Sequence, residues 1–197
     1  TVQSGYALSA AGVDFDKVWL FAVQGAGGGA AEPVYMVTTN ALVLYDAYRA
    51  DAVSGTTLTD YSGNDRHATI TNGLSIADDG FDFSSSNYAS ITDLGNPAGN
   101  WSHSISVWIN MNAFPPSTDG DIWSIGVNSN SKTSALRVLT NDKLNWYFWG
   151  YDVYYNMSSA DLSAGTWHHL CFVYDSSTLN KSLYIDNVLF HTGVSPA

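Results

Sequence analysis

Glutamate is almost missing from this chain of 197 residues: Glu32 stands alone beside seventeen aspartates. Lysine is scarce too, with four in all, and arginine numbers three. Glu and Lys favour helix interiors whereas Asp favours caps and turns, so their scarcity argues against a helical fold. With only seven cations against a formal charge of −11, the chain offers no basic stripe to a phosphate backbone, which argues against a nucleic-acid partner. One cysteine, Cys171, excludes a disulfide framework and a thiolate metal cluster. No apolar run approaches the roughly 20 residues of a membrane span. No charged n-region follows Thr1, so no signal peptide is expected here.

What is present points to strands. Apolar residues make up 45% of the chain, with seven Trp, twelve Tyr and eight Phe, enough for one substantial core. Seventeen Gly among many Ser, Thr, Asn and Asp mark frequent turns. Residues 1–40 read as a β- and glycine-rich segment, a linker or the end of a preceding domain, before a module at 41–197. In that segment "KVWLFAV" (17–23) and "VYMVTT" (34–39) read as strands. Gly25, Gly27 and Ala30 match a dinucleotide fingerprint, but that motif needs a following helix, and Pro33 with a β run follows instead.

From Leu42 onward short β runs alternate with turns at sandwich spacing. In "HSISVWINM" (103–111) Ile105, Val107 and Ile109 share one face and Ser104, Ser106 and Trp108 the other. "LTNDKLNWYFWGYDVYY" reads as two β runs turning at Asn141-Asp142, and "SLYIDNVLFHT" turns at Asp186-Asn187.

Five stretches in order, "DYSGNDRHATIT", "GFDFSSSNYASI", "HSISVWINM", "LSAGTWHHLCFVYD" and "KSLYIDN", resemble the laminin-G-like, concanavalin A-like jelly-roll domains over about residues 41 to 193. The resemblance implies an all-β, antiparallel two-sheet jelly-roll sandwich. Asn187 stands where the family usually has glycine and Ser84 replaces another; Asn tolerates positive φ, so the turn is expected to survive. Members normally add strands beyond the "L-Y-x-D-G" hairpin. The sandwich is therefore expected to be incomplete at its C-terminal end, or completed by residues 1–40 or a partner. The lead-in "TTNALVLYDAYRADAVSGTTLTDYSGN" is similar to modules in phage and large DNA virus structural proteins, which implies a virion-surface or extracellular setting.

"AGTWHHLCFVYD" (164–175) sets two histidines beside the cysteine. On a strand His168 and His169 point to opposite faces and cannot hold one ion together, and a thiol inside an apolar strand is a poor nucleophile. A retaining glycosidase needs two carboxyls about 5 to 5.5 Å apart. Glu32, Asp14 and Asp16 lie outside the family-like stretch, and Asp119 and Asp121 read as turn residues of "PPSTDGD". The chain is therefore expected not to be an enzyme.

Two features suit binding. "WYFWGYDVYY" (146–155) is the densest aromatic stretch; alternation puts Trp146 on one face and Tyr147, Trp149 and Tyr151 on the other. Tyr147, Trp149, Tyr151 and Tyr154 are the candidates for a glycan platform, against the alternative that both faces pack in the interior. "DYSGND" (60–65) offers Asp60 and Asp65 to calcium, but calcium takes six to eight oxygens and one short loop supplies too few. The competing reading is a turn whose Asp caps backbone amides. Asn100, Asn156 and Asn180 begin N-x-S sequons that Asn- and Ser-rich chains produce by chance.

The expected function is a non-catalytic recognition module of a surface or virion protein, binding glycans or neighbouring proteins within a larger assembly. The rivals are a structural capsid, fibre or cement component, and a targeting module of a secreted glycoside-active enzyme.

Overall fold

The computed structural model describes residues 6–9, 15–25, 41–47, 49–77, 80–84, 86–92, 94, 101–113, 120–126, 133–140, 143–147, 153–156 and 162–194. For some, including 6–9, 15–25, 147 and 153–156, only the backbone is described. Every regular element among the described residues is a strand. The first six are β1 (Tyr6–Ser9), β2 (Phe15–Gly25), β3 (Ala41–Asp46), β4 (Val53–Ser54), β5 (Thr57–Leu58) and β6 (Ala68–Thr71). Next come β7 (Ser75–Ala77), β8 (Gly80–Phe83), β9 (Tyr88–Ile91), β10 (His103–Met111), β11 (Gly120–Gly126) and β12 (Thr133–Val138). The last five are β13 (Lys143–Tyr147), β14 (Val153–Asn156), β15 (Trp167–Asp175), β16 (Asn180–Ile185) and β17 (Val188–Val194).

They form two antiparallel sheets. One has nine strands in the order β14-β13-β12-β11-β1-β9-β6-β5-β4. The other has eight, running β17-β16-β15-β10-β2-β8-β7, with β3 also paired to β2. The all-β, two-sheet antiparallel expectation is met. Residues 1–40, expected as a linker or the end of a preceding domain, supply one interior strand to each sheet. β1 lies between β11 and β9, and β2 lies between β10 on one side and β8 and β3 on the other. The glycine-rich loop and the "VYMVTT" run lie outside the described residues.

Alternation explains the packing. Along β10 buried and half-buried residues alternate without a break, with Ile105, Val107 and Ile109 inside. Opposite it in β15, Leu170 and Phe172 are buried, paired with Val107 and Ile105. Phe172 meets the other sheet edge-on: its ring lies 5.9 Å from Trp123 of β11 and 5.4 Å from Trp146 of β13. This aromatic trio joins the two layers. The turn between β16 and β17 forms as expected, because Asp186 (φ 50) and Asn187 (φ 67) both take the left-handed conformation that a two-residue hairpin demands.

Beside the trio lies a buried polar chain. Trp146 Nε1 donates to Ser134 Oγ at 3.1 Å, and Ser134 Oγ stands 3.5 Å from His103 Nε2. His103 Nδ1 faces the Trp101 carbonyl at 3.1 Å, so Nδ1 carries the proton and donates. Lys181 of β16 is fully buried with Nζ 5.6 Å from the Trp146 ring centre, a cation–π contact.

Burial holds the His103 pKa down at about 4, the Trp101 carbonyl opposes the shift and Lys181 adds to it. The unfolded chain therefore binds the extra proton between pH 6.5 and 4. This contribution to stability is whole above pH 6.5 and is lost as pH falls through that window. Acidification from pH 7 to 5 is expected to remove about 2 kcal/mol through this one group. Urea unfolding of wild type and His103→Gln at both pH values checks it, since the carboxylates contribute alike to both proteins. Equal pH slopes would refute it.

Candidate functional site

The "DYSGND" turn is built around Asp60, which is buried. Oδ1 accepts the amides of Leu44 and Ser62 at 2.8 and 2.9 Å, and Oδ2 accepts the Ser62 hydroxyl and the Arg66 amide at 2.7 and 3.0 Å. These four donors fill the carboxylate's lone-pair sites. The Asp60 amide donates to His67 Nδ1 at 3.0 Å, and Tyr45 Oη donates to the Arg66 carbonyl at 2.9 Å. Burial raises the Tyr45 pKa far above its usual value, with Asp60 adding to the shift. Asp65 is exposed, with φ 54. No cluster of three or more His, Cys, Asp or Glu that could hold a metal occurs among the described residues. The turn does not fit calcium; it fits the capping alternative, in which Asp60 ties the loop to β3.

The adjacent histidines diverge, as alternation requires. His168 Nε2 accepts the Ser163 amide at 3.0 Å, so Nδ1 carries the proton and donates to Asp186 Oδ2 at 2.7 Å. His169 lies on the opposite face, where its Nε2 meets Ser106 Oγ at 2.8 Å and its ring lies 5.1 Å from Trp108. Asp186 Oδ1 also accepts the His169 amide at 2.8 Å. One carboxylate thus secures both histidines from the β16–β17 turn.

Ser163 Oγ stands 3.2 Å from His168 Nε2, which completes a Ser-His-Asp sequence of contacts. Its chemistry is limited because Nε2 has one lone pair and the Ser163 amide already uses it. The imidazole anchors the loop before β15 instead of standing ready to take the hydroxyl proton. Cys171 is equally unsuited to attack, because burial pushes its thiol up to about 11.

The aromatic candidates belong to the nine-stranded sheet. Leu136 and Trp146 are paired and buried, and by alternation Arg137, Asn145 and Ala135 point the other way; Asn145 and Ala135 are buried as well, so of these three only Arg137 is reached by solvent. By register Tyr147 is opposite Ala135 and Tyr154 opposite Asn145, which brings both positions to the same side of the sheet as Arg137. Trp149 and Tyr151 lie outside the described residues.

In the same row as Tyr154, Asn145 is followed by Arg137 and then Asp121 across four strands. Arg137 Nε donates to Asp121 Oδ1 at 3.1 Å, and both side chains are 29% exposed. Asp121, expected in a turn, is instead part of β11. A register irregularity between Asp121 and Trp123 sets it opposite Arg137. Only pairing brings these groups together. The available signal was the alternation of "SALRV", which puts Arg137 opposite in direction to Leu136 and Val138. Guanidinium donors beside carboxylate acceptors suit the paired donor and acceptor character of sugar hydroxyls.

The stretch from the end of β8 through β17 carries both the row and the histidine strand. A family model described as the concanavalin A-like lectin/glucanases superfamily matches this region, residues 83–197. The chain belongs to that superfamily. No curated protein and no solved structure matches the chain. Membership of the concanavalin A-like superfamily supports a carbohydrate- or protein-binding module. The superfamily's description covers lectins and glucanases alike, so fold alone leaves the chemistry to the site. The Asp60 turn precedes the matched region.

Proposed function

We propose that this module is a non-catalytic glycan receptor of an exterior surface, a virion or cell envelope, and that it binds on the outer face of its nine-stranded sheet. The observation that carries the reading is the partly exposed Asp121–Arg137 pair, with the Tyr154 position in the same row and the Tyr147 position in the adjoining one. A sugar ring needs hydroxyl partners of both kinds and a flat apolar face. The Asp121–Arg137 pair supplies the partners, and tyrosine rings are suited to supply the face. Two features favour binding over hydrolysis: Asp121 is coupled to a cation, where glycoside chemistry needs a second carboxyl, and the His168 lone pair is engaged by an amide.

A glycan array tests this directly. The chain is expected to bind at least one glycan class with micromolar to millimolar affinity, weakened tenfold or more by Arg137→Ala and by Tyr154→Ala. Arg137→Ala is expected to move the unfolding midpoint by only a small increment, because its ion pair with Asp121 is partly exposed. An array silent both with and without added calcium would sink the proposal.

A further inference from the structure

Asp121 and Arg137 join opposite charges across neighbouring strands. Arg137 Nε donates to Asp121 Oδ1 at 3.1 Å, and each side chain is 29% exposed. Strand pairing sets Asp121 of β11 directly opposite Arg137 of β12, so the contact is fixed by the sheet. The balance of charge extends to the whole stretch around it. Residues 120–156, which supply β11 to β14, hold three aspartates, Asp121, Asp142 and Asp152, against three cations, Lys132, Arg137 and Lys143. That stretch has no formal charge. The rest of the chain holds fifteen carboxylates against four cations, which is the full −11.

We infer that the glycan bound at this face is a neutral one, and that Asp121 is the residue that sets this specificity. By holding Arg137 it denies the guanidinium to sialate, uronate and sulfate groups. The inference rests on the glycan reading above and narrows it to one substrate class.

A guanidinium is well suited to grip a carboxylate or sulfate, because its fork of donors matches two anionic oxygens. Left to itself, Arg137 would select acidic sugars. Asp121 changes this in two ways. Its oxygen already accepts from Nε, so an incoming anion meets a donor in use. Its charge also stands beside the place that anion must take, and like charges at contact range repel. A hydroxyl escapes both penalties. It donates to the carboxylate and accepts from the guanidinium without adding charge, and bonds to ionised groups are the stronger ones.

Charge at longer range acts in the same direction. A chain at −11 repels anions as they approach, and the binding stretch, with as many carboxylates as cations, carries no excess of positive charge to offset that repulsion. The Lys143 position lies on the same side of the sheet as Arg137, since it alternates with buried Leu144. Asp142 directly precedes it in the chain.

A glycan array of matched pairs tests this with the 197-residue chain, each neutral glycan beside its sialylated, uronate or sulfated counterpart. The wild type is expected to bind neutral members at least tenfold more tightly than their acidic counterparts. Neutral binding should change less than about twofold between about 50 and 500 mM NaCl, because no ionic contact with the ligand is there to be screened. Asp121→Asn keeps an acceptor for Nε and removes the charge. It is expected to narrow the gap between neutral and acidic members about tenfold, with the gained acidic binding lost again at high salt. Thermal melts by circular dichroism establish that the variant is folded; if it is not, the wild-type preference and its salt dependence decide alone. The inference falls, with the glycan reading intact, if acidic members bind the wild type as tightly as neutral ones or more tightly. It falls in the same way if folded Asp121→Asn leaves the gap unchanged. A silent array overturns both.

Discussion

Replacing Trp146 with alanine is expected to lower the free energy of unfolding by about 4 kcal/mol, within the range for a large aromatic truncated in a packed core. Three contacts are lost together. The ring stands edge-on to Trp123 at 6.2 Å and to Phe172 at 5.4 Å, so its removal opens a cavity where the two sheets meet. Ser134 loses the Nε1 donor of the polar chain that ends on His103. Lys181, buried beneath the ring, loses the face over which its ammonium lies. Small domains are stable by only about 5–15 kcal/mol, so the variant should be marginally folded at 37 °C. Urea unfolding followed by tryptophan fluorescence and circular dichroism measures the effect. A loss below about 1 kcal/mol would mean that this trio does not hold the layers together.

Asp60→Ala is expected to cost about 4 kcal/mol, even though Asp60 belongs to a turn. The reason is the number of donors it serves: the Leu44, Ser62 and Arg66 amides and the Ser62 hydroxyl. Each buried amide left without an acceptor costs about 1–3 kcal/mol, lessened where water can reach. Asp60→Asn separates charge from shape. Its Oδ1 can still accept from two amides, whereas its NH2 group would face the donors that Oδ2 now serves. About half the loss is expected for this variant. Calcium or a chelator should leave the wild-type midpoint unchanged, because the carboxylate is already saturated by protein donors. A midpoint that rises markedly with calcium would show that Asp60 acts as a ligand.

The two sites differed in how much of them could be foreseen. The Asp60 turn was legible because its Asp, Ser, Gly and Asn are neighbours in the chain, and local hydrogen bonds of that kind follow from local spacing. The divergence of His168 and His169 was legible for a similar reason, since period-two alternation needs only the knowledge that the stretch is a strand. The binding row was not. Asp121, Arg137, Asn145 and Tyr154 come from four strands, and Asp121 looked like one more turn aspartate. Its neighbours are set by strand register and by the irregularity before Trp123, neither of which leaves a mark in residue type.

The residues alone determine an antiparallel sandwich built of short runs, the inward faces of β10 and β15, and a left-handed turn at Asp186-Asn187. Those features depend on alternation and on the φ preferences of single residues, which act over a few bonds. Folding in three dimensions decided the rest: interior places for β1 and β2, one carboxylate shared by two histidines, and a lysine under a tryptophan. Each of these depends on contacts between distant segments. Such contacts are selected by the joint packing of two sheets rather than by the preference of any one stretch.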